Sequence, residues 1–557
     1  VNADGSRRIV IVGASAAGLR CAARLARLRP AWRITVVEAR ELFSVAACGM
    51  PYVLSGDVGA AESLRTTSDG AVRDAEYFAA VKGVEVLPDR RALAVDAGAR
   101  TLACEHGPSR EILEWDELVL ATGARALRLP NQPHHPRVRS FHAPEDLAPL
   151  HAGLTKGEIS RIVIVGAGLV GCELSEAFRA IWGAEVTLLE AAASPLAGVL
   201  DPELGAVVAA TLRRNGVDLR VNAAVEDFAA DDARAHVTAS GERFTADVVL
   251  VAAGVEPEVG LARSAGAALG ETGAIAVDDR LATSVPHVWA AGDCVEVRRL
   301  PGGEPAYLPL GSLANRQGRT LANVLAGRED RFRGAVGAAA VKIFDLDVAC
   351  TGLTRTSAAR RGIRARSAWV SAHDRAHYWP EAQEIVVHLV YDADSRRVLG
   401  VQALGEGEVA KRVDVATAFV ARGASLKELG DVEQAYAPPF APAIDPLALA
   451  AFAAENQEEG IETLNPGEAL AGLPLLDVRH ADERRERPLP VPARETPLEN
   501  LRAALPLAES GPWLVVCERG ARSAEAVRLI LSSGGSARYL AGGLRLRARL
   551  GHEAPSS

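Results

Sequence analysis

Arg8-Ile9-Val10-Ile11-Val12-Gly13-Ala14-Ser15-Ala16-Ala17-Gly18 decides the fold of this chain. Five residues that are β-branched or strand-compatible run into a small-residue turn, and an Ala/Leu-rich stretch follows. The next strand pattern, Arg33-Ile34-Thr35-Val36-Val37, ends at Glu38, about twenty residues beyond Gly18. Such a turn lets a backbone approach a pyrophosphate, sets a helix N-terminus against the anion and places an acid on a ribose. Ser15 stands where the middle glycine of the pattern is usual. The arrangement returns at Arg161-Ile162-Val163-Ile164-Val165, with Gly166, Gly168 and Gly171 at the three glycine positions and a strand from Glu185 to Leu189 ending at Glu190. Two loops, each with strand, helix and acid in register, predict two dinucleotide sites. An acid at Glu190 accepts from a ribose 2′-hydroxyl and repels a 2′-phosphate, so NADH is expected over NADPH.

Composition narrows the class. At 557 residues the chain exceeds one hydrophobic core, and three or four domains are expected. A formal charge of −9 argues against a general nucleic-acid footprint. No run of eighteen apolar residues occurs, so neither a membrane span nor a signal peptide is expected. Seven scattered cysteines without framework or metal-ligand spacing suit a reducing, cytoplasmic compartment, with no metal expected.

Three more pieces lie in order. The strand Leu118-Val119-Leu120 runs into Ala121-Thr122-Gly123, and Val248 to Val251 runs into Ala252-Ala253-Gly254. His287-Val288-Trp289-Ala290-Ala291 ends in Gly292-Asp293. The ensemble resembles the pyridine nucleotide–disulfide oxidoreductases over roughly residues 7 to 450. The resemblance implies FAD on Gly13, Ser15, Gly18 and Glu38, with Thr122, Gly123 and Asp293 around it, and adds Gly254 to the cofactor-binding residues. It implies NADH on Gly166, Gly168, Gly171 and Glu190, with Glu173 near the nicotinamide. The expected architecture is α/β: a split FAD-binding domain (1–125 and 255–330), an NAD-binding domain (126–254), an α+β dimerisation domain (331–445), a connector read as a helix and then a polar linker (446–467) and a C-terminal α/β domain (468–557).

Cys48 sets the chemistry. It sits in Ser44-Val45-Ala46-Ala47-Cys48-Gly49-Met50-Pro51-Tyr52, and the nearest other cysteines in sequence are Cys21 and Cys104. An internal disulfide is excluded locally, so a redox partner for Cys48 arrives with substrate. Cys-Gly-x-Pro-Tyr resembles the active segment of coenzyme A-disulfide and CoA-persulfide reductases. That likeness implies a Cys48–CoA mixed disulfide and a CoA channel lined by Ser44, Arg20, Arg24 and Arg27. These three arginines recur at i, i+4 and i+7 on one helix face, and guanidinium forks suit phosphates. It implies a homodimer in which Tyr378 and Tyr436 reach the substrate sulfur. Two positions depart: Ala47, where asparagine is common, and Ile444, where a CoA-contacting lysine is common.

The last ninety residues carry a second sulfur motif. The strand Trp513 to Val516 runs into Cys517-Glu518-Arg519-Gly520-Ala521-Arg522-Ser523 and an Ala-rich helix. A thiol in a turn of inward amides at a helix N-terminus is expected to have a lowered pKa and to hold a persulfide. The stretch resembles a rhodanese-like domain, with Cys517 as sulfur carrier and Arg522 at the loop end, although an Arg/Pro-rich segment (Arg485 to Pro497) replaces the usual residues after the first strand. The expected function is NADH-dependent reduction of CoA persulfide or polysulfide. A CoA-disulfide reductase, an NADH oxidase or peroxidase, and a slow sulfur-carrying or redox-sensing protein remain as alternatives.

Overall fold

The computed structural model describes residues 6–470, 472–507 and 511–551. The chain divides into two compact units: Val1–Gly166, Glu173–Leu189 and Val225–Gly337 form one, and Ala167–Cys172, Glu190–Ala224 and Ala338–Ser557 the other.

The first unit is built on two parallel sheets whose central strands have the same sequence, Arg-Ile-Val-Ile-Val. Arg8–Val12 lies between Arg33–Val37 and Glu117–Leu120, with Glu85–Leu87 and Val288–Ala290 at the edges. Arg161–Val165 lies between Glu185–Leu189 and Val248–Val251, and Val138–Ser140 pairs with the latter. Ile9, Ile11, Val36, Leu118 and Leu120 are sealed from solvent, as continuous β-branched and Leu runs require when both faces of a parallel sheet are covered. The helix Ala16–Leu28 packs its buried Leu19, Ala22 and Leu25 into this core and lies beside the helix Gly311–Leu325.

The second unit holds a five-stranded antiparallel sheet in the order Ala339–Ile343, Leu346–Gly352, Val398–Gly405, Glu384–Asp392, Ala365–His373. Every residue of Val398–Gly405 is buried, and the helix Ala410–Arg422 packs on this strand. The connector 446–467, expected as a helix and then a polar linker, begins with that helix and ends in a short strand where a linker was expected. Asp445 caps the helix Pro446–Glu458, which buries Leu447, Ala448, Ala450, Ala451 and Ala454 against the antiparallel sheet. Tyr391 donates its hydroxyl to Glu458 at 2.9 Å. Thr463–Leu464 is then an edge strand of the C-terminal sheet.

That last sheet is wholly parallel, in the order Thr463–Leu464, Ala537–Leu540, Trp513–Val516, Leu475–Asp477, Arg494–Glu495. Its residues alternate between two apolar layers. Leu476, Trp513, Val515 and Tyr539 face one, while Leu475, Leu514, Val516 and Leu540 face the other. The α/β class read from the sequence is the class observed, including an extra α/β region at the C-terminus.

Candidate functional site

The first glycine loop opens a cleft of about 590 Å³ that runs from Gly13 past Glu38 to Arg90 and back to Thr122, Gly123 and Asp293. Gly13 has φ +109°, and a Cβ there would stand 2.1 Å from the Ala121 carbonyl oxygen, so no other residue fits. Gly18 is held to the same standard by the Gly13 carbonyl, 1.9 Å from its virtual Cβ. Glu38 accepts the Ala14 amide at 2.8 Å on one oxygen and the Arg40 amide at 3.0 Å on the other. Each oxygen keeps a lone pair for a ribose hydroxyl. Ser15 precedes the helix without a side-chain cap, leaving the first-turn amides available to an anion. Burial pushes the Asp293 carboxyl up to about 6. A long cleft with an anion end, a ribose acid and a second polar end fits a dinucleotide.

The second glycine loop repeats the device. Gly166 has φ +102° and a virtual Cβ 2.6 Å from the Ala252 carbonyl oxygen. Around Gly168 nothing lies within 4 Å of the virtual Cβ, so a pyrophosphate can reach the backbone there. Glu190 accepts the amides of Ala167 and Ala192, each at 2.7 Å. Gly171 is buried at the start of the helix Leu169–Ala180, and Gly254, at φ +106°, gives its carbonyl to the Leu127 amide at 3.0 Å.

Cys48 lies in the short turn Ala47–Gly49 that leads into the helix Met50–Leu54. It is exposed, whereas Cys21, Cys104, Cys172, Cys294, Cys350 and Cys517 are buried. Burial pushes the Cys21 thiol up to about 12 and those of Cys104 and Cys350 to about 11, which leaves them protonated and inert at neutral pH. Ser44, expected along the CoA channel, is itself buried, in a left-handed turn (φ 58°) in the wall of the first cleft. Its amide binds the Ala14 carbonyl at 3.0 Å, and Arg73 grips its carbonyl at 2.9 Å.

Tyr52, at the end of the Cys48 motif, donates its hydroxyl to Glu173 at 3.2 Å. Burial, reinforced by Glu176, pushes the Glu173 carboxyl up to about 7 despite that bond. A carboxyl poised near neutrality beside the thiol segment is suited to holding or releasing a proton. The Tyr52 partnership spans 121 residues and left no signal in the sequence.

Arg20 and Arg27 are exposed on the first helix, and Arg24 is half-buried with its Nε donating to Asn323 Oδ1 at 2.6 Å. Burial and repulsion from Arg319, Arg328, Arg27 and Arg20 draw the Arg24 pKa down. Sequence reasoning missed Arg319 and Arg328, which join this patch from a helix and turn some 300 residues downstream.

In the second unit Tyr378 and Tyr436 interact through their hydroxyls, which raises the Tyr378 pKa above its ordinary value. They are 64% and 51% exposed, and Phe440 and Ile444 nearby in sequence are exposed as well. Cys517 ends the strand Trp513–Val516 at the carboxyl edge of the parallel sheet, and the Gly520 amide donates to its Sγ at 3.1 Å. Arg522, expected beside the thiol, forms a two-pronged pair with Glu483 at 2.7 and 2.5 Å. That pair holds the Glu483 carboxyl down at about 2.

Comparison with known proteins places the chain. Residues 7–318 match the family model described as pyridine nucleotide-disulphide oxidoreductase, and residues 338–448 match the dimerisation domain of the same family. The chain is a pyridine nucleotide-disulphide oxidoreductase. It is accordingly an FAD- and NAD(P)H-dependent enzyme. A Pyrococcus furiosus relative named NAD(P)H sulfur oxidoreductase (CoA-dependent) is 34% identical over 453 residues, covering 80% of this oxidoreductase and 98% of the relative. The solved structure of a NAD-dependent persulfide reductase from A. fulgidus superposes with a TM-score of 0.92 at 35% identity, covering 97% of this chain and 99% of that one. The reduced Bacillus anthracis CoADR-RHD structure gives 0.91 at 29% identity, with 98% of each chain covered. Among the described residues, no helix is long and apolar enough to cross a membrane.

Proposed function

We propose that this oxidoreductase reduces the sulfane sulfur of CoA persulfide, or of related polysulfides, to hydrosulfide at the expense of NADH. The observation that carries the reading is Cys48, an exposed thiol while the other six cysteines are buried. Its disulfide partner must therefore be a thiol brought by the substrate. The Cys48 thiolate attacks the inner sulfur of CoA-S-SH, the S–S bond breaks, hydrosulfide leaves, and Cys48 and CoA are joined by a disulfide. FAD held by Gly13, Gly18 and Glu38 would supply the two-electron link from NADH, through which the disulfide returns to the Cys48 thiolate and CoA thiol. The surface of Arg20, Arg24 and Arg27, extended by Arg319 and Arg328, supplies the fixed positive charge that the phosphates of CoA require. Tyr378 and Tyr436, presented on an exposed face of the dimerisation domain, serve across a homodimer as donors to the departing thiolate. Glu190 selects NADH.

The C-terminal domain (468–557) is read as rhodanese-like. Cys517 receives amide support at its sulfur, and the buried Ser523 hydroxyl, on the first turn of the following helix, meets no hydrogen-bond partner among the described residues. Such a cradle suits a persulfide anion. Steady-state NADH oxidation with CoA persulfide, compared between wild type and Cys48→Ser, tests the main reading. Unchanged turnover in the variant refutes it. The similarity to the B. anthracis CoADR-RHD supports CoA disulfide as a second substrate, and the ratio of kcat/KM for the two substrates ranks them.

A further inference from the structure

The Cys517 loop is fastened to the antiparallel sheet by residues that the proposed chemistry does not use. Arg519, two residues beyond Cys517, donates from Nε to Glu384 Oε2 at 2.8 Å and from Nη2 to His373 Nε2 at 3.1 Å. Glu384 also pairs with Arg545 at 3.3 Å, and Arg545 reaches Glu518 of the loop at 3.2 Å. Beside them the Ser371 hydroxyl donates to the Gly542 carbonyl at 2.9 Å. Gly543 touches the loop so closely that a Cβ there would stand 2.4 Å from the Glu518 carbonyl oxygen.

His373 and Glu384 are themselves a register pair. They face each other across the strands Ala365–His373 and Glu384–Asp392, and so close the base of the hairpin whose connection carries Tyr378. That base is stiff. The buried Asp374 carboxylate accepts the amides of Gln383 at 2.8 Å and Glu408 at 3.1 Å. The fully buried Arg412 binds the Asp374 carbonyl at 2.5 Å and Asp445 at 3.0 Å. The Ala376 amide binds the Pro438 carbonyl, joining the hairpin to the segment that carries Tyr436.

We propose that Arg519 is a positioning residue: its ion pair with Glu384 docks the Cys517 loop on the base of the Tyr378 hairpin and so sets the efficiency with which sulfane sulfur passes from Cys517 to CoA. This rests on the reading of Cys517 as a sulfur carrier and of Tyr378 as part of the CoA site. In the transfer, the CoA thiolate attacks the outer sulfur of the Cys517 persulfide. The S–S bond at Cys517 breaks, Cys517 leaves as a thiolate, and CoA departs as its persulfide. A loop fixed to the hairpin presents that sulfur in one orientation, whereas an undocked loop presents it in many.

The test uses the full-length holoenzyme and three assays: sulfur transfer from thiosulfate to cyanide at Cys517, NADH oxidation with preformed CoA persulfide, and NADH oxidation with thiosulfate plus CoA, which alone requires the handover. Glu384→Arg is expected to lower kcat/KM for CoA in the third assay by about tenfold, the factor that one charged hydrogen bond supplies. Glu384→Gln, the milder change, lowers it by about threefold to fivefold on the same grounds. The first two assays stay within about twofold, because they do not use the docked loop. The double variant Glu384→Arg with Arg519→Glu recovers the third assay. An unchanged third assay, a parallel fall in the first or second, or a failed recovery overturns the proposal. Absence of sulfur transfer to cyanide in the wild type overturns the sulfur-carrier reading itself, and the proposal with it.

Discussion

Arg479→Met isolates what holds the Cys517 loop together. The Arg479 side chain is fully buried, and its guanidinium reaches three segments at once. Nη2 and Nε bind Asp477 at 2.8 and 3.0 Å, and Nη1 binds Glu518 at 2.8 Å and the Arg487 carbonyl at 2.9 Å. Methionine fills much of the volume but leaves the Asp477 and Glu518 carboxylates, 1% and 8% exposed, without this cation. Removing one partner of a buried pair costs about 3–5 kcal/mol. Glu518 keeps Arg487 and Arg545, so the lower end, about 3 kcal/mol, is expected.

That loss acts on local opening of the loop rather than on the whole chain, whose two units need not unfold together. Cys517 is buried, so its alkylation reports opening, while exposed Cys48 serves as an internal reference. A loss of 3 kcal/mol raises the alkylation rate of Cys517 by about a hundredfold, with Cys48 unchanged. Mass spectrometry of iodoacetamide-treated protein over time measures both. Equal protection of Cys517 in wild type and variant would refute the assignment of Arg479 as the hub.

Gly13→Ala is expected to abolish FAD retention, because the added methyl would lie 2.1 Å from a backbone oxygen at φ +109°; the flavin absorbance of purified protein measures it. Glu190→Gln keeps an acceptor for one of the two loop amides and removes the charge, and should raise the NADPH-to-NADH ratio of kcat/KM by about tenfold. Glu173 has its carboxyl raised from 4.5 to about 7. The folded protein therefore binds this proton more tightly, and the associated stability is present below pH 4.5 and lost as pH rises through 7, by up to about 3 kcal/mol. Glu173→Gln should melt higher than wild type at pH 8, with the difference shrinking towards pH 5. An equal difference at both pH values counts against the raised carboxyl.

The dinucleotide folds were legible because their determinants are local. Gly13 and Gly166 each sit where one backbone nearly touches another, and the acid that organises each loop follows by chain at a fixed distance. The helix Pro446–Glu458 was legible as a helix, but its packing was not, for the opposite reason. Pro-Leu-Ala-Leu-Ala-Ala-Phe-Ala-Ala has small apolar residues on every side, so no stripe says which face is buried. Its burial comes from a sheet that the sequence places elsewhere. Ser44 was read for its place in a motif; its positive φ, its carbonyl gripped by Arg73 and its position in the wall of the first cleft had no signal in the sequence. The bonds of Tyr52 to Glu173, Arg24 to Asn323 and Arg519 to Glu384 join residues 121, 299 and 135 apart. Ion pairs and hydrogen bonds at such separations leave no periodicity to detect.

The Arg/Pro-rich segment from Arg485 to Pro497 stands where the resemblance to rhodanese-like domains leads one to expect other residues. In the structure it contributes to the frame of the Cys517 loop. Arg487 gives its carbonyl to Arg479 and its side chain to Glu518, and Arg494–Glu495 adds an edge strand beside Leu475–Asp477. Of the segment's arginines, Arg487 is turned onto the carboxylate that follows Cys517. Glu518 gathers Arg479, Arg487 and Arg545, while its neighbour Arg519 faces outward to Glu384. Adjacent residues of opposite charge therefore divide the work. Glu518 ties the loop to its own domain and Arg519 ties it to the sheet, so undocking need not disorder the thiol. For that reason Glu384→Arg should leave Cys517 protected from alkylation, and Arg479→Met should not.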